Sequence, residues 1–359
     1  MRFVSLAICV GACTPAPTTL QEVLLGDRDR GDLVAMRAHG WELWQHLAGG
    51  EHLAWEHWPA TEQMFAAKPV ARPKFRTPRP FRNGDAIDAE TLPVMFDVLF
   101  DPHAARHVRV QHLAEREVLD TLAELPAFPS DATAVKLTWY AVHAHGLTAM
   151  PIWDGEPAQP DADGNPDRTW QRAIAVDPDR TVIPDGELAL VTLGGRTFSA
   201  KVRPLSAFLV RDLVAEELGS ARRATHDPSL VAGDHVALVA VHVTTKEIPD
   251  WTWQTYWWHD APSEGRFAAG KPALDSLHGA AANYLMDVTY SAGTPCFNPW
   301  LEARFPDGLQ SNCVTCHQRA VVGAADYLPV TRTRLKSDDP YFAGHIQTDF
   351  VWSIAFESR

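Results

Sequence analysis

Five residues near the C-terminal end carry the strongest constraint in this 359-residue sequence: Cys313-Val314-Thr315-Cys316-His317. Two thiols two residues apart, followed directly by an imidazole, limit what can fold around them. At this spacing both thiols can form thioether bonds to the vinyl groups of one haem, while the histidine turns its ring to the iron. A covalent tether is thereby joined to an axial ligand, and axial-ligand identity is a main control on redox potential. Two other chemistries use the same residues. The cysteine pair alone can act as a redox dithiol. With Cys296, the set supplies the three sulfurs and one nitrogen of a tetrahedral zinc site.

The compartment bears on this choice, and the other end of the chain speaks to it. Arg2 precedes a mostly apolar run from Phe3 to Val10, the pattern of an export signal. Val10-Gly11-Ala12-Cys13 then reads as a lipobox, with small residues before a cysteine that becomes the lipidated N-terminus. A plain signal peptide is the alternative. Processing at Cys13 would leave Cys296, Cys313 and Cys316 as the thiols of the folded body. An exported chain meets an oxidising environment, where spare thiols pair. Haem would use Cys313 and Cys316 and leave Cys296 single; zinc would use all three.

By its motif the chain resembles the bacterial c-type cytochromes. The resemblance implies one covalent haem c on Cys313 and Cys316, His317 as proximal iron ligand, and attachment outside the cytoplasmic membrane. The chain departs from small class I cytochromes, in which the motif opens the domain and a methionine ligand follows well downstream. Only a short tail follows His317, it holds no methionine, and the last methionine is Met286. Taken whole, the chain is similar to the larger exported bacterial proteins grouped as a cytochrome c family for one such motif near the C-terminus, a likeness that implies no particular reaction. His345 is the one histidine downstream of His317 and the first candidate for the sixth iron position; Met286, His278 and Met150 come next.

Three functions follow as expectations. The first is an exported, lipid-anchored monohaem cytochrome, periplasmic or outer-membrane-associated, passing single electrons to a redox partner protein. The second is a haem c-dependent oxidoreductase or peroxidase-like enzyme with an open iron site for a small-molecule substrate; the long chain before the motif favours it. The third is a binding or sensing lipoprotein in which haem or zinc is structural. A net charge of −13 without a dense basic run argues against nucleic acid as a partner. No stretch beyond the leader approaches the ~18 continuous apolar residues of a membrane-spanning helix. Hydrolase, zinc-protease, P-loop and dinucleotide-binding motifs are absent.

The expected fold class is α+β: N-terminal helices, a central antiparallel β-rich unit, and a C-terminal haem-attachment segment packed on it. The divisions are 1–20 for leader and tether, 21–130 for helices, 131–290 for strands and 291–359 for the haem segment. Trp41, Trp44, Trp55 and Trp58 fall on one helical face and read as a packing surface, broken into two helices at Gly49-Gly50. Asp101-Pro102 reads as the start of a helix whose apolar stripe, Val110, Leu113, Ala114, Val118, Leu122 and Leu125, runs to Pro126. Residues 187–202 read as a hairpin turning at Gly194-Gly195, and Val236 to Val243 as a buried strand. Trp251, Trp253 and Trp257 are expected on one strand face. The Pro- and Arg-rich stretch at 68–82 reads as an extended strap, and Asp161 to Asp167 as an Asx/Gly turn that departs from a calcium loop at Arg172.

Overall fold

The structure is a computed structural model that describes residues 19–66, 68, 70, 74–76, 93–153, 172–273, 277–302, 308–323 and 332–359. The lipobox with Cys13, the calcium-like run and most of the basic strap lie outside the described residues.

The helices come first, as expected. Helix α1 (Leu20–Arg30) opens on a capping box between Thr19 and Glu22 and closes on Gly31, whose φ of 63° suits glycine. Helix α2 (Leu33–Ala48) is capped by Asp32 and stops at Gly49. A second helix beyond Gly49-Gly50 does not form; the chain makes turns around buried Trp55, and α3 spans Thr61–Phe65. The tryptophans pack as the sequence implies. Trp41 and Trp44 are buried, and Trp44 stacks on Tyr256 with ring centroids 4.4 Å apart.

Ten strands among the described residues make two sheets. They are β1 (Val94–Phe100), β2 (Thr133–Val142), β3 (Thr148–Ile152), β4 (Arg172–Asp177), β5 (Leu188–Leu193), β6 (Arg196–Pro204), β7 (Val210–Asp212), β8 (His235–Thr245), β9 (Thr252–Trp258) and β10 (Tyr284–Thr289). The larger sheet runs β1-β2-β8-β9-β10, with β7 also on β8, and every pair is antiparallel. The smaller runs β3-β4-β6-β5. The fold is thus α+β with an antiparallel central sheet. Two details differ from expectation. Strand β1 joins the sheet from the segment read as helical, and β4 and β6 pair in parallel. The β5–β6 hairpin turns at Gly194 and Gly195, both with positive φ, as its sequence requires.

Each face of the larger sheet is covered, and period-two alternation decides which residue meets which cover. On β9 and β10, Tyr256 and Met286 are paired and face α2. A Cβ on Gly40 would come within 3.2 Å of the Met286 methyl, a tight contact that glycine avoids. Buried Arg37 donates to the carbonyls of Phe267 and Met286 and fixes α2 across the strand end. The opposite face carries Trp253 and Thr255, and the C-terminal segment lies on it. Asn298 donates to Thr255 Oγ1 at 2.7 Å and to the Tyr256 carbonyl at 3.0 Å. Apolar contacts do not respect the four sequence divisions. One buried cluster runs from Leu24 through the sheet to Trp300, and a second joins Met64, Phe100, Trp253, Val314 and Ile354.

The remaining helices are short: α4 (Pro102–Val110), α5 (Arg116–Leu119), α6 (Leu218–Thr225), α7 (Cys313–His317) and α8 (Trp352–Glu357). Helix α4 starts as expected, with Asp101 accepting from the Ala104 N–H and Pro102 in the first turn. It ends at Val110, well before Pro126. His112 takes φ 54°, and the N–H groups of His112 and Leu113 return to the carbonyls of Arg109 and Val108. This is a Schellman stop with histidine in the position glycine usually fills.

Candidate functional site

The motif is helical because its flank is built to start a helix there. Asn312 is the N-cap: its side-chain oxygen accepts from the Thr315 N–H at 3.1 Å. Its amide donates to the carbonyls of Ser291 and Thr294, at 3.0 and 2.7 Å, which ties the helix start to the end of β10. Cys296 bridges Asn312 as a parallel β-partner, and its N–H donates to the Ser311 carbonyl at 2.8 Å. After the helix, the Ala320 carbonyl takes hydrogen bonds from both the N–H and the hydroxyl of Thr348, so the tail folds back over the motif.

That return places the Phe350 carbonyl 2.8 Å from His317 Nδ1. A carbonyl only accepts, so Nδ1 carries the proton and Nε2 keeps its lone pair. The tail reaches this position through two consecutive left-handed residues, Asp349 at φ 48° and Phe350 at φ 69°. Asp349 is held from two sides. Lys246 Nζ donates to Oδ1 at 2.6 Å and the Phe128 N–H to Oδ2 at 3.2 Å, and the Lys246 and Asp349 side chains are 9% and 14% exposed. Trp253 covers one side of the imidazole, with ring centroids 4.2 Å apart, and Phe350 lies beside Trp253. Burial pulls the His317 pKa down to about 3, against the opposing pull of the Phe350 carbonyl, so the ring is neutral at physiological pH.

Beneath the motif the sheet face carries a polar row. Lys136 on β2 pairs with His242 on β8, and His242 with Thr255 on β9. Glu302 lies over it, with Oε1 3.4 Å from His242 Nε2 and Oε2 accepting from the Asn298 N–H at 2.6 Å. Burial works against the Glu302 carboxylate, but His242, the Asn298 N–H and Lys136 outweigh it and hold its pKa below the usual range. Burial lowers Lys136 and pushes the Cys316 thiol up to about 12. The charges of His242, Lys136 and Glu302 all reach His317. These groups lie between the sheet and its cover, yet Lys136, His242, Glu302, Cys316 and His317 each keep accessible surface.

The residues fit a haem c. Cys313 and Cys316 are free thiols with accessible surface, and the His317 Nδ1 is tied down, which leaves Nε2 as the nitrogen with a lone pair. They do not assemble a zinc site: among the described residues no three His, Cys, Asp or Glu side chains converge on a common metal position. The candidates for the sixth position are dispersed. His345 and His278 are exposed, Met150 is buried in β3, and Met286 faces α2 on the other side of the sheet. His242, which lies close enough to His317 to act on it electrostatically, was not among the sequence candidates. Its sequence signal was its place as the single ionisable side chain in the apolar run Val236 to Val243. Lys136 alternates along β2 with buried Val135 and Leu137, a pattern that does not by itself tell a solvent face from a second covered one. Trp251, expected on the face of Trp253, lies outside β9 with φ 61°.

Comparison of the chain with family models, with curated proteins and with solved structures finds no match in any of the three. Among the described residues no helix is long and apolar enough to cross a membrane.

Proposed function

We propose that this chain is a monohaem c-type cytochrome, exported and anchored through lipid on Cys13, that passes single electrons to a redox partner protein. Cys313 and Cys316 carry the two thioether bonds and His317 is the proximal ligand. The observation that supports this reading best is the hydrogen bond from His317 Nδ1 to the Phe350 carbonyl. Histidines that bind metal are commonly oriented by such a bond from the other ring nitrogen, which fixes the tautomer and raises the ligand's basicity. A bound haem supplies one-electron chemistry at its iron. The chain's own residues do the rest. The thioethers hold the ring in place, Phe350 aims the imidazole, and Trp253 shields it from water.

A second reading, a haem c-dependent oxidoreductase or peroxidase-like enzyme, is favoured by the row of Lys136, His242 and Glu302. Three partly accessible ionisable side chains beside the motif can hold and deliver protons, which an electron shuttle does not need. Visible and electron-paramagnetic-resonance spectra of the purified ferric and ferrous protein separate the two. A low-spin spectrum that ignores carbon monoxide and peroxide supports the shuttle; a high-spin spectrum that shifts with either supports the enzyme. If the protein is low-spin, the variants His345→Ala and His242→Ala identify the sixth ligand by which one turns it high-spin. The absence of any haem spectrum would refute both.

A further inference from the structure

Cys296 is an odd thiol that the proposed function does not use. It is wholly buried, and its sulfur lies 3.7 Å from that of Cys313. The backbone holds the two together, because Cys296 is bridged to Asn312, the residue before Cys313. We propose that Cys296 and Cys313 are a disulfide site, and that this bond and haem attachment are alternative fates of Cys313. Disulfide formation needs the sulfurs to close to ~2.0 Å, a change that side-chain rotation supplies when the backbones are already neighbours.

The oxidant is a small disulfide such as oxidised glutathione. Cys313, which keeps accessible surface, attacks it, forming a mixed disulfide and releasing one small thiol. Cys296 then attacks the Cys313 sulfur and releases the second. Two protein thiols lose two protons and two electrons, and one small disulfide becomes two thiols. Burial raises the pKa of the Cys296 thiol, which makes the second step the slow one. While the bond stands, Cys313 has no thiol to add to a haem vinyl group, and Cys316 alone remains. A dithiol reductant reopens the site. The bond does not depend on the haem reading; only its consequence for haem loading does.

The test uses the full chain, exported in cells that lack haem-attachment machinery and incubated with oxidised glutathione or with dithiothreitol. Peptide mapping under non-reducing conditions is expected to find a Cys296–Cys313 cross-link after oxidation, with Cys316 free to be alkylated. Cys316→Ser should keep the cross-link and Cys296→Ser should lose it. A Cys313–Cys316 bond as the sole product, or three alkylatable thiols after oxidation, overturns the site. Haem loading is then measured after supplying the attachment machinery. Oxidised wild type should load at least severalfold less than reduced wild type, and Cys296→Ser should load equally in both states. Equal loading of oxidised and reduced wild type overturns the competition. If even the reduced forms take up no haem, the haem reading fails while the peptide map still decides the disulfide.

Discussion

Asp349 and Phe350 show what single residues contribute. Each holds a left-handed conformation that costs an L-residue about 1–2 kcal/mol, and strain of this kind persists only where the surroundings enforce it. Here the Lys246–Asp349 pair enforces it. Asp349→Ala removes the anchor and leaves a poorly exposed ammonium group with the Pro249 carbonyl but no counter-charge, so it should lose about 2–4 kcal/mol in urea unfolding. Asp97 gives a case of opposite sign. It is buried, accepts from Trp139 Nε1 at 3.1 Å, and burial raises its pKa to about 6. Between the usual carboxylate pKa of ~4 and its own of about 6, the folded state binds more protons than the unfolded state, so this group adds stability as the pH falls. Asp97→Asn keeps the acceptor and removes the charge. It should stabilise the protein by about 1–3 kcal/mol at pH 7–8, an advantage that fades toward pH 4 in unfolding measured across pH. The cysteines and His317 were legible in the sequence because their chemistry is local, five residues in a row. Phe350 and Lys246 were not, because a backbone carbonyl and a distant ammonium leave no mark on the motif they serve.

At the scale of elements, helices and turns with a local cause could be read and those with a tertiary cause could not. The start of α4 was legible from Asp101-Pro102, and the β5–β6 turn from its glycines. The end of α4 was not, because the apolar stripe from Val110 to Leu125 continues past the stop. Leu113 and Leu119 are still buried, but the chain delivers them through a Schellman turn and the one-turn α5 rather than one long helix. His112→Gly should relieve the left-handed residue and stabilise the protein by about 0.5–1 kcal/mol, the loss of an exposed His112–Glu115 pair notwithstanding, as read by the thermal midpoint. The same limit explains Lys136. Alternation separates two faces of a strand without saying which is wet, and a sheet covered on both sides has no wet face.

Across the whole molecule, the α+β class and the order of helices, sheet and C-terminal segment were readable from the change of period along the chain. The assignment of β1 was not, because one short strand completes a sheet whose other members lie far along the sequence. The proposed anchor adds a prediction at this scale: Cys13→Ala should move the protein from the membrane fraction to the soluble fraction, and a variant that stays with membranes would count against the lipobox. The proposed function turns on the covalent state of one short helix. Mass spectrometry of the peptide spanning α7, from protein purified out of cells with haem-attachment machinery, reads that state directly. A monohaem cytochrome should show one haem bound through both Cys313 and Cys316, with Cys296 still alkylatable. Free thiols at both positions, or bound zinc without haem, would contradict it.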